Sequence, residues 1–215
     1  MFVTRHTTVV DRSLGDKLWQ LYDVCYRDLA GSAVTREMLY RSEFDETIAD
    51  HTNRLWVLWD DTAPVGMCLV ATDIGRTRYL SREYFEHHYP DHMRRSAVHY
   101  IMWLVIHPAH VAKGAIVRLA REGLALEASE GALLVFDSPS INQPETSGGF
   151  AEMMARLARS LAGPAPVRHL ETQHYFAVDF TTTVAAASAA TTRDDVAVGG
   201  GSAPPVAAAA SNARS

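Results

Sequence analysis

Apolar and polar positions alternate over the first part of the chain in patterns typical of a strand followed by two helices. Residues 2–10 alternate loosely and predict a strand. Ser13 is a residue type that caps helices, and Thr35 is a second such cap before a helix that ends ahead of His51. The first helix has an apolar stripe at helical spacing, formed by Leu14, Leu18, Leu21, Tyr22 and Cys25.

The next pattern is that of a β-hairpin. Residues 55–59 and 65–72 are short apolar runs rich in aromatic and β-branched types, and residues 60–64 between them have turn chemistry. Gly66 follows the turn directly, which indicates a bulge or a close approach of two backbones.

A strand–loop–helix–strand unit follows a short helix over residues 80–93 that is interrupted before Pro90. Residues 98–106 form the longest strand candidate, residues 107–114 a tight loop and residues 115–130 a helix closed by Gly131. The continuous apolar run at 132–136 is typical of a strand buried on both faces. The unit therefore predicts one parallel strand pair.

The chain beyond this unit changes character. Residues 150–161 predict a helix, and residues 167–170 and 175–180 predict a last strand pair. From 181 to 215 the chain consists mainly of Ala, Thr, Ser, Gly, Val and Pro without aromatics, so we expect a disordered tail behind a domain of residues 1–180. The predicted fold class is α/β: a mixed central sheet with one parallel strand–helix–strand unit, flanked by helices.

Composition narrows the functional classes. The 215-residue chain is 47% hydrophobic with a formal charge of −5, which disfavours nucleic acid as a partner. Two isolated cysteines, Cys25 and Cys68, match no disulfide framework and no zinc spacing, and we interpret both as small core residues. No apolar run is long enough to span a bilayer and no signal peptide is evident, so the cytoplasm is the expected compartment.

The loop before the crossover helix has the chemistry of an anion site. A helix N-terminus presents backbone N–H groups and a partial positive charge. Gly114 allows a phosphate to approach the backbone, and Lys113 adds a cation. The alternative is a plain strand-to-helix turn without a ligand.

This unit resembles the GNAT acyltransferase superfamily. The family pattern is an apolar strand, a His-Pro or Asn-Pro turn, and Arg/Gln-x-x-Gly-x-Gly/Ala at the start of a helix. The matching elements here are the strand end, the His107-Pro108 turn and Gly114. Val111 stands where the family usually has Arg or Gln, and Ile116 where it has Gly or Ala. A fainter similarity, around residues 43–45 and 84–89, is to relatives that make acyl-homoserine lactones.

The resemblance implies an acyl-CoA or acetyl-CoA cosubstrate. The strand end would hold the pantetheine arm and the thioester, and the loop would hold the pyrophosphate. The implied cofactor-binding residues are Leu104, Val105, Ile106, Val111, Ala112, Lys113, Gly114, Ala115 and Ile116.

Candidates for the catalytic groups are fewer than the family pattern suggests. His99 on the long strand has the side chain suited to a general base, although it equally fits a partly exposed strand residue. Glu43 is a second candidate, with a solvated helix face as its alternative. The helix after the fifth strand lacks the tyrosine that acts as acid in the family, and Ser138 and Asn142 are the nearest polar residues, unless both are turn formers.

Two functions follow from these observations. The first is an N-acyltransferase that uses acyl-CoA, or an acyl carrier protein, and a small-molecule amine. The second is a catalytically inactive module of the same fold that binds a ligand or partner. We expect no metal site, because Pro90 breaks the helix that the spacing of His88 and His92 requires. A homodimer is also compatible with these observations.

Overall fold

The computed structural model describes residues 1–33, 38–139, 142, 149–163, 165–175 and 177. The chain divides into two units, Met1–Glu171 and Thr172–Ser215. The predicted tail, 181–215, lies outside the described residues, and the domain boundary at residue 180 stays a prediction.

The order of helices and strands in the first unit is the predicted one through residue 162. Helices are numbered α1–α6 and strands β1–β5, and two short 3₁₀ helices are left unnumbered. The elements are β1 (Phe2–His6), α1 (Arg12–Ser32), α2 (Arg41–Ala49), β2 (Asn53–Asp60), β3 (Ala63–Ala71), a 3₁₀ helix (Ile74–Arg76), α3 (Arg82–His88), α4 (Pro90–Arg94), β4 (Val98–Ile106), a 3₁₀ helix (Pro108–Lys113), α5 (Ala115–Ser129), β5 (Leu133–Phe136) and α6 (Phe150–Ala162).

The sheet has five strands in the order β1-β2-β3-β4-β5. The first three pairings are antiparallel, and β4 pairs with β5 in parallel through the α5 crossover. The predicted fold class, a mixed sheet with one parallel strand–helix–strand unit and flanking helices, is confirmed.

Helices cover both faces of the sheet. On one face, α1 and α2 contribute Leu18, Tyr22 and Phe44 to a buried cluster with residues of β2–β4. On the other face, Leu119 of α5 and Met154 of α6 pack on the same three strands. Each of the strands β2, β3 and β4 therefore has two apolar faces, which explains why β2 and β3 appear as continuous apolar runs in the sequence.

A bulge in β4 changes which face its side chains meet. The register with β3 shifts between Leu69 and Val70, so that Trp103 opposes Leu69, Ile101 opposes Val70, and Met102 is the extra residue. Trp103 accordingly joins the cluster under α1 and α2, whereas Ile101 joins the one under α5.

The predicted hairpin and its glycine are confirmed. The register of β2 and β3 shifts between Leu58 and Trp59, which leaves Val65 as the bulged residue beside Gly66. A Cβ atom on Gly66 would lie 2.7 Å from Cδ1 of Ile106 and 3.4 Å from the carbonyl oxygen of Val105. Gly66 thus marks both the bulge and a close approach of two strands.

Two helix starts differ from the prediction. Asp11, not Ser13, is the N-cap of α1, and its carboxylate accepts a hydrogen bond of 2.7 Å from the Leu14 N–H. Helix α2 begins only at Arg41. Thr35, the predicted cap, lies outside the described residues. The first error arises because Asp and Ser are about equally good caps and stand two positions apart.

Two further predictions need correction. The strand β5 is not buried on both faces: only Val135 is buried, because β5 is the outermost strand of the sheet as described. Residues 167–170 form no strand, and of the segment 175–180 only 175 and 177 are described, neither in a strand. The predicted interruption of the helix over 80–93 before Pro90 is confirmed: α3 and α4 are separated at Tyr89, with Pro90 in the first position of α4.

Candidate functional site

The C-terminal half of β4 has one unpaired edge. Its residues pair with β3 as far as Ile106, but β5 pairs only with Val98–Ile101. In the described part of the chain, the segment from Met102 to Ile106 therefore has no strand on its β5 side. The predicted cofactor residues Leu104, Val105 and Ile106 all lie in this stretch.

The tight loop predicted between β4 and α5 contains a 3₁₀ helix. The His107 N–H donates to the Val65 carbonyl oxygen at 2.9 Å, and Pro108–Lys113 forms a 3₁₀ helix. In a 3₁₀ helix an N–H group donates to the carbonyl oxygen three residues earlier, so the N–H groups point back along the chain. Val111, Ala112 and Lys113 lie in this helix, and the Val111 side chain is 59% exposed.

Gly114 joins the 3₁₀ helix to α5 in a left-handed conformation, with φ of 70°. A Cβ atom there would have no heavy atom within 4 Å, so the space in front of α5 is open. No side chain of the described residues caps α5. Ala115 is fully buried against the sheet and Ile116 is half-buried. The predicted loop residues therefore converge on one helix N-terminus with uncapped N–H groups.

His99 lies on the α5 face of β4 and is 3% exposed, which excludes the partly exposed strand position considered above. Its Nδ1 hydrogen-bonds to the Glu127 carboxylate of α5, and its Nε2 lies 3.3 Å from the Ser96 carbonyl oxygen. Arg54 donates to Glu127 at 2.9 Å and to Glu130 at 2.8 Å. Both ring nitrogens thus face acceptors.

The same cluster offers ligand atoms for a cation. One atom each of His99, Glu127 and Glu130 lie within 4.8 Å of one another. The Arg54 guanidinium already bridges both carboxylates and supplies positive charge there. The arrangement is an ion-pair network. It borders a polar cavity of about 460 Å³ that Arg82 and Asp73 also line.

Glu43 is not brought near His99. Its carboxylate accepts a hydrogen bond of 2.8 Å from the Tyr40 N–H and so stabilises the start of α2, on the opposite face of the sheet from α5. This contact gives Glu43 a structural role in α2.

Ser138 and Asn142 follow β5 in the chain. The Ser138 hydroxyl is buried without a hydrogen-bond partner among the described residues, and the Asn142 N–H donates to the Pro139 carbonyl oxygen at 2.9 Å, as in a turn. Sequence reasoning missed one neighbour: the buried Tyr100 donates its hydroxyl to Asp137 at 2.8 Å, where β4 and β5 separate.

A second cavity lies on the α2 side of the sheet and was not predicted. It has a volume of about 210 Å³ and reaches Met102, the bulged residue of β4. Its polar wall comes from α2, β2 and the segment after β3. These residues are Glu46, Thr47, Asp50, Asn53, Asp73, Arg76 and Thr77. They are scattered over three elements, so no spacing rule would have grouped them.

Asp50 is fixed in its charged form within this wall. Burial alone would raise its pKa, but hydrogen bonds from the Thr52 N–H and hydroxyl, with the charge of Arg76, lower the pKa overall. The Asp50 carboxylate lies 3.1 Å from the Arg76 guanidinium.

Comparisons with known proteins returned solved structures only; no family model and no curated protein matches the chain. One similar structure is an aminoglycoside acetyltransferase from an uncultured soil metagenomic sample, at 11% identity and a TM-score of 0.48, over 82% of this chain and 94% of that one. Another is an aminoglycoside 6′-N-acetyltransferase of Acinetobacter haemolyticus, at 13% identity and a TM-score of 0.47, over 83% of this chain and 99% of that one.

A third is the ribosomal-protein-S18-alanine N-acetyltransferase of Escherichia coli, at 7% identity and a TM-score of 0.44, over 74% of this chain and 76% of that one. With TM-scores below 0.5, these likenesses are too distant to assign the chain to a family or to an activity. Among the described residues, no helix is both long and apolar enough to cross a membrane.

Proposed function

We propose that this chain is an N-acyltransferase that moves an acyl group from a coenzyme A thioester to the amine of a small molecule. The observation that carries the proposal is the unpaired edge of β4 from Met102 to Ile106, which the 3₁₀ helix Pro108–Lys113 joins to Gly114 and the uncapped start of α5. An extended ligand that ends in phosphates can bind to such a strand edge and to the helix N-terminus that follows it in the chain.

The strand edge suits the pantetheine arm. An unpaired edge presents N–H and C=O groups to which an extended chain with amide groups can hydrogen-bond, as an added strand would. The start of α5 then suits the pyrophosphate, because uncapped N–H groups and the helix dipole favour an anion. Lys113 adds a cation at the same end.

The reaction that this arrangement supports is direct transfer. The amine nitrogen attacks the thioester carbonyl, the new C–N bond forms, the C–S bond breaks, and the thiolate takes up a proton. The attacking amine must also lose a proton to a base. Because both nitrogens of His99 face acceptors, we do not assign this proton to His99.

The proposal is tested by calorimetric titration of acetyl-CoA and of octanoyl-CoA into the full chain. We expect micromolar binding, weakened by at least about tenfold in Gly114→Trp. Gly131→Trp is the matched control, since Gly131 has a similar positive φ of 61° at the other end of α5. Equal loss in both variants, or no binding by the folded wild-type chain, would contradict the coenzyme A site.

A specific observation also favours the second function, an inactive binding module. Val111 and Ile116 replace the polar and small residues of the family pattern, and α6 contains no tyrosine. The two functions differ in thiol release. An acyltransferase frees coenzyme A from acetyl-CoA when amines are supplied, whereas a binding module retains the thioester intact. An acyl carrier protein is the alternative donor if coenzyme A thioesters do not bind.

A further inference from the structure

A carboxylate stands at the point where β4 and β5 separate. The last paired residues of the two strands are Ile101 and Phe136. Asp137 follows directly, and it would oppose Met102 if the pairing continued by one residue. Met102 is also the first residue of the unpaired edge that we assign to the thioester arm. Asp137 is therefore attached to the chain at the start of that edge.

The hydroxyl of Tyr100 holds this carboxylate. The Tyr100 side chain is 4% exposed and belongs to a buried cluster with Val135 of β5 and Phe85 of α3. Its hydroxyl donates to Oδ1 of Asp137 at 2.8 Å. Because a closely packed ring keeps one orientation, this hydrogen bond restricts the position of the carboxylate.

The two members of this pair differ in their access to solvent. Tyr100 is buried, whereas Asp137 is exposed. A base has to come within hydrogen-bond distance of the group whose proton it takes, so exposure of the carboxylate is a requirement for that role. The pair thus combines an accessible acceptor with a buried support.

The pair also lies on the side of the sheet away from the proposed phosphate site. Side chains alternate between the two faces of a strand, and Ile101 packs under α5. Tyr100, the preceding residue, faces the opposite way, towards α3. An amine can therefore approach Asp137 from the face that α5 does not cover.

A second polar group in the same turn lacks a partner. The hydroxyl of Ser138, next to Asp137 in the chain, is buried and makes no hydrogen bond within the part of the chain that the structure describes. A buried polar group in that state calls for a partner from outside the fold. This observation is independent of the Tyr100–Asp137 bond and indicates a ligand at the same place.

We infer that Asp137 is the general base of the acyl transfer and that Tyr100 is its positioning residue. The inference rests on the proposed function for the location of the thioester. As the neutral amine attacks and the C–N bond forms, its nitrogen becomes positively charged and loses a proton to the Asp137 carboxylate. The C–S bond then breaks, and the protonated carboxyl group passes the proton to the thiolate. An amide, a free thiol and the original carboxylate remain.

The test measures thiol release from acetyl-CoA by the full chain with four probe amines: ethanolamine, putrescine, glycinamide and glucosamine. Asp137→Ala and Asp137→Asn should each lower thiol release by about a hundredfold or more, because a positioned base contributes about that much. Acetyl-CoA affinity, measured by calorimetry, should stay within about twofold of the wild type. Glu122→Ala removes an exposed carboxylate of α5 and is the matched control with unchanged turnover.

Added formate separates a chemical role from a structural one. A small carboxylate can occupy the space left in Asp137→Ala and take the proton in its place. We expect formate to raise thiol release in Asp137→Ala by about tenfold or more and to leave the wild type and Glu122→Ala unchanged.

The role of Tyr100 is tested by Tyr100→Phe, which keeps the ring and removes only the hydroxyl. We expect kcat to fall by about threefold to tenfold at unchanged acetyl-CoA affinity. Because Tyr100 acts through Asp137, the same change should cost nothing further in the Asp137→Ala background. Multiplied losses in the double variant would overturn the positioning role.

Three outcomes would overturn Asp137 as the base: unchanged turnover in both Asp137 variants, no effect of formate on Asp137→Ala, or a wild-type chain that binds acetyl-CoA and releases no thiol with any of the four amines. In each of these cases the coenzyme A site itself stands. Absence of acetyl-CoA binding by the folded wild-type chain would instead contradict the proposed function, and the base with it.

Discussion

The imidazole of His99 in β4 lies against the carboxylate of Glu127 in α5, and both side chains are only 3% exposed. Arg54 of β2 donates to the same carboxylate at 2.9 Å, so three elements meet at one buried charge. The pair lies near the C-terminal end of α5, whereas the proposed phosphate site lies at its N-terminal end. The network therefore helps to fix the helix that the ligand would contact.

We predict that Glu127→Gln destabilises the fold by about 3 kcal/mol, because removal of one partner leaves the others buried with unbalanced charge. Urea denaturation followed by circular dichroism measures the change. The matched control is Glu130→Gln, which removes a partner of the same Arg54 at a 37% exposed position and should cost under about 1 kcal/mol. Equal costs for the two variants would show that burial of the pair contributes nothing.

Gly66 is predicted to be intolerant of larger side chains. Its Cβ position is 2.7 Å from Cδ1 of Ile106, so Gly66→Val should cost about 2 kcal/mol through overpacking. Ile106→Val removes the opposing methyl group and should recover about 1 kcal/mol of this in the double variant. Thermal unfolding of the four proteins forms the cycle. Additive costs would mean that the clash is not the cause.

The thiol of Cys68 should make stability depend on pH in the alkaline range. Burial, with the charge of Glu127, raises the pKa of Cys68 to about 12, compared with about 8.5 for an exposed thiol. Between these values the unfolded chain loses its proton first, so the free energy of unfolding falls with rising pH, by up to about 1.4 kcal/mol per pH unit.

Urea denaturation at about pH 8 and about pH 10.5 measures this slope. We expect Cys68→Ala to flatten it. Cys25→Ala is the comparison: burial raises the pKa of that half-buried thiol to about 11, also above the higher pH, so its loss should flatten the slope by a similar amount. Parallel slopes for Cys68→Ala and the wild type would contradict the prediction.

Ser138→Ala separates a catalytic from a structural role for the loop after β5. Because the buried hydroxyl has no partner in the described structure, its removal should change stability by less than about 0.5 kcal/mol. If the hydroxyl assists the departing thiolate, thioester turnover should fall about tenfold or more at unchanged acyl-CoA affinity. Unchanged turnover would assign Ser138 to the loop alone.

The local parts of the fold were predictable because the signals are contiguous. The strand Val98–Ile106, the hairpin around residues 60–64 and the Gly131 stop after α5 each follow from a few adjacent residues. The apolar run that became β5 was predicted as a strand, but its position at the sheet edge was not. Composition alone does not distinguish an outer strand from an inner one when a helix covers each face.

The sequence could indicate only the part of the candidate site whose residues are contiguous in the chain. The residues from Leu104 to Ile116 form one continuous segment, so a motif could indicate them. Asn53 and Asp73 of the cavity are 20 positions apart and meet only because β2 and β3 pair. Likewise, His99 of β4 and Glu127 of α5 are 28 positions apart and meet only through the crossover, so no local pattern in the sequence links them.

The bulge at Met102 has a consequence for how β4 can change length. Before it, the odd-numbered positions His99 and Ile101 face α5; after it, the odd-numbered positions Trp103 and Val105 face α1 and α2. Deletion of Met102 would remove the bulge and leave Ile101 and Trp103 adjacent, still opposite Val70 and Leu69, so both halves of the strand would keep their present faces. The strand should therefore accept both a change of residue type at Met102 and the loss of this one residue.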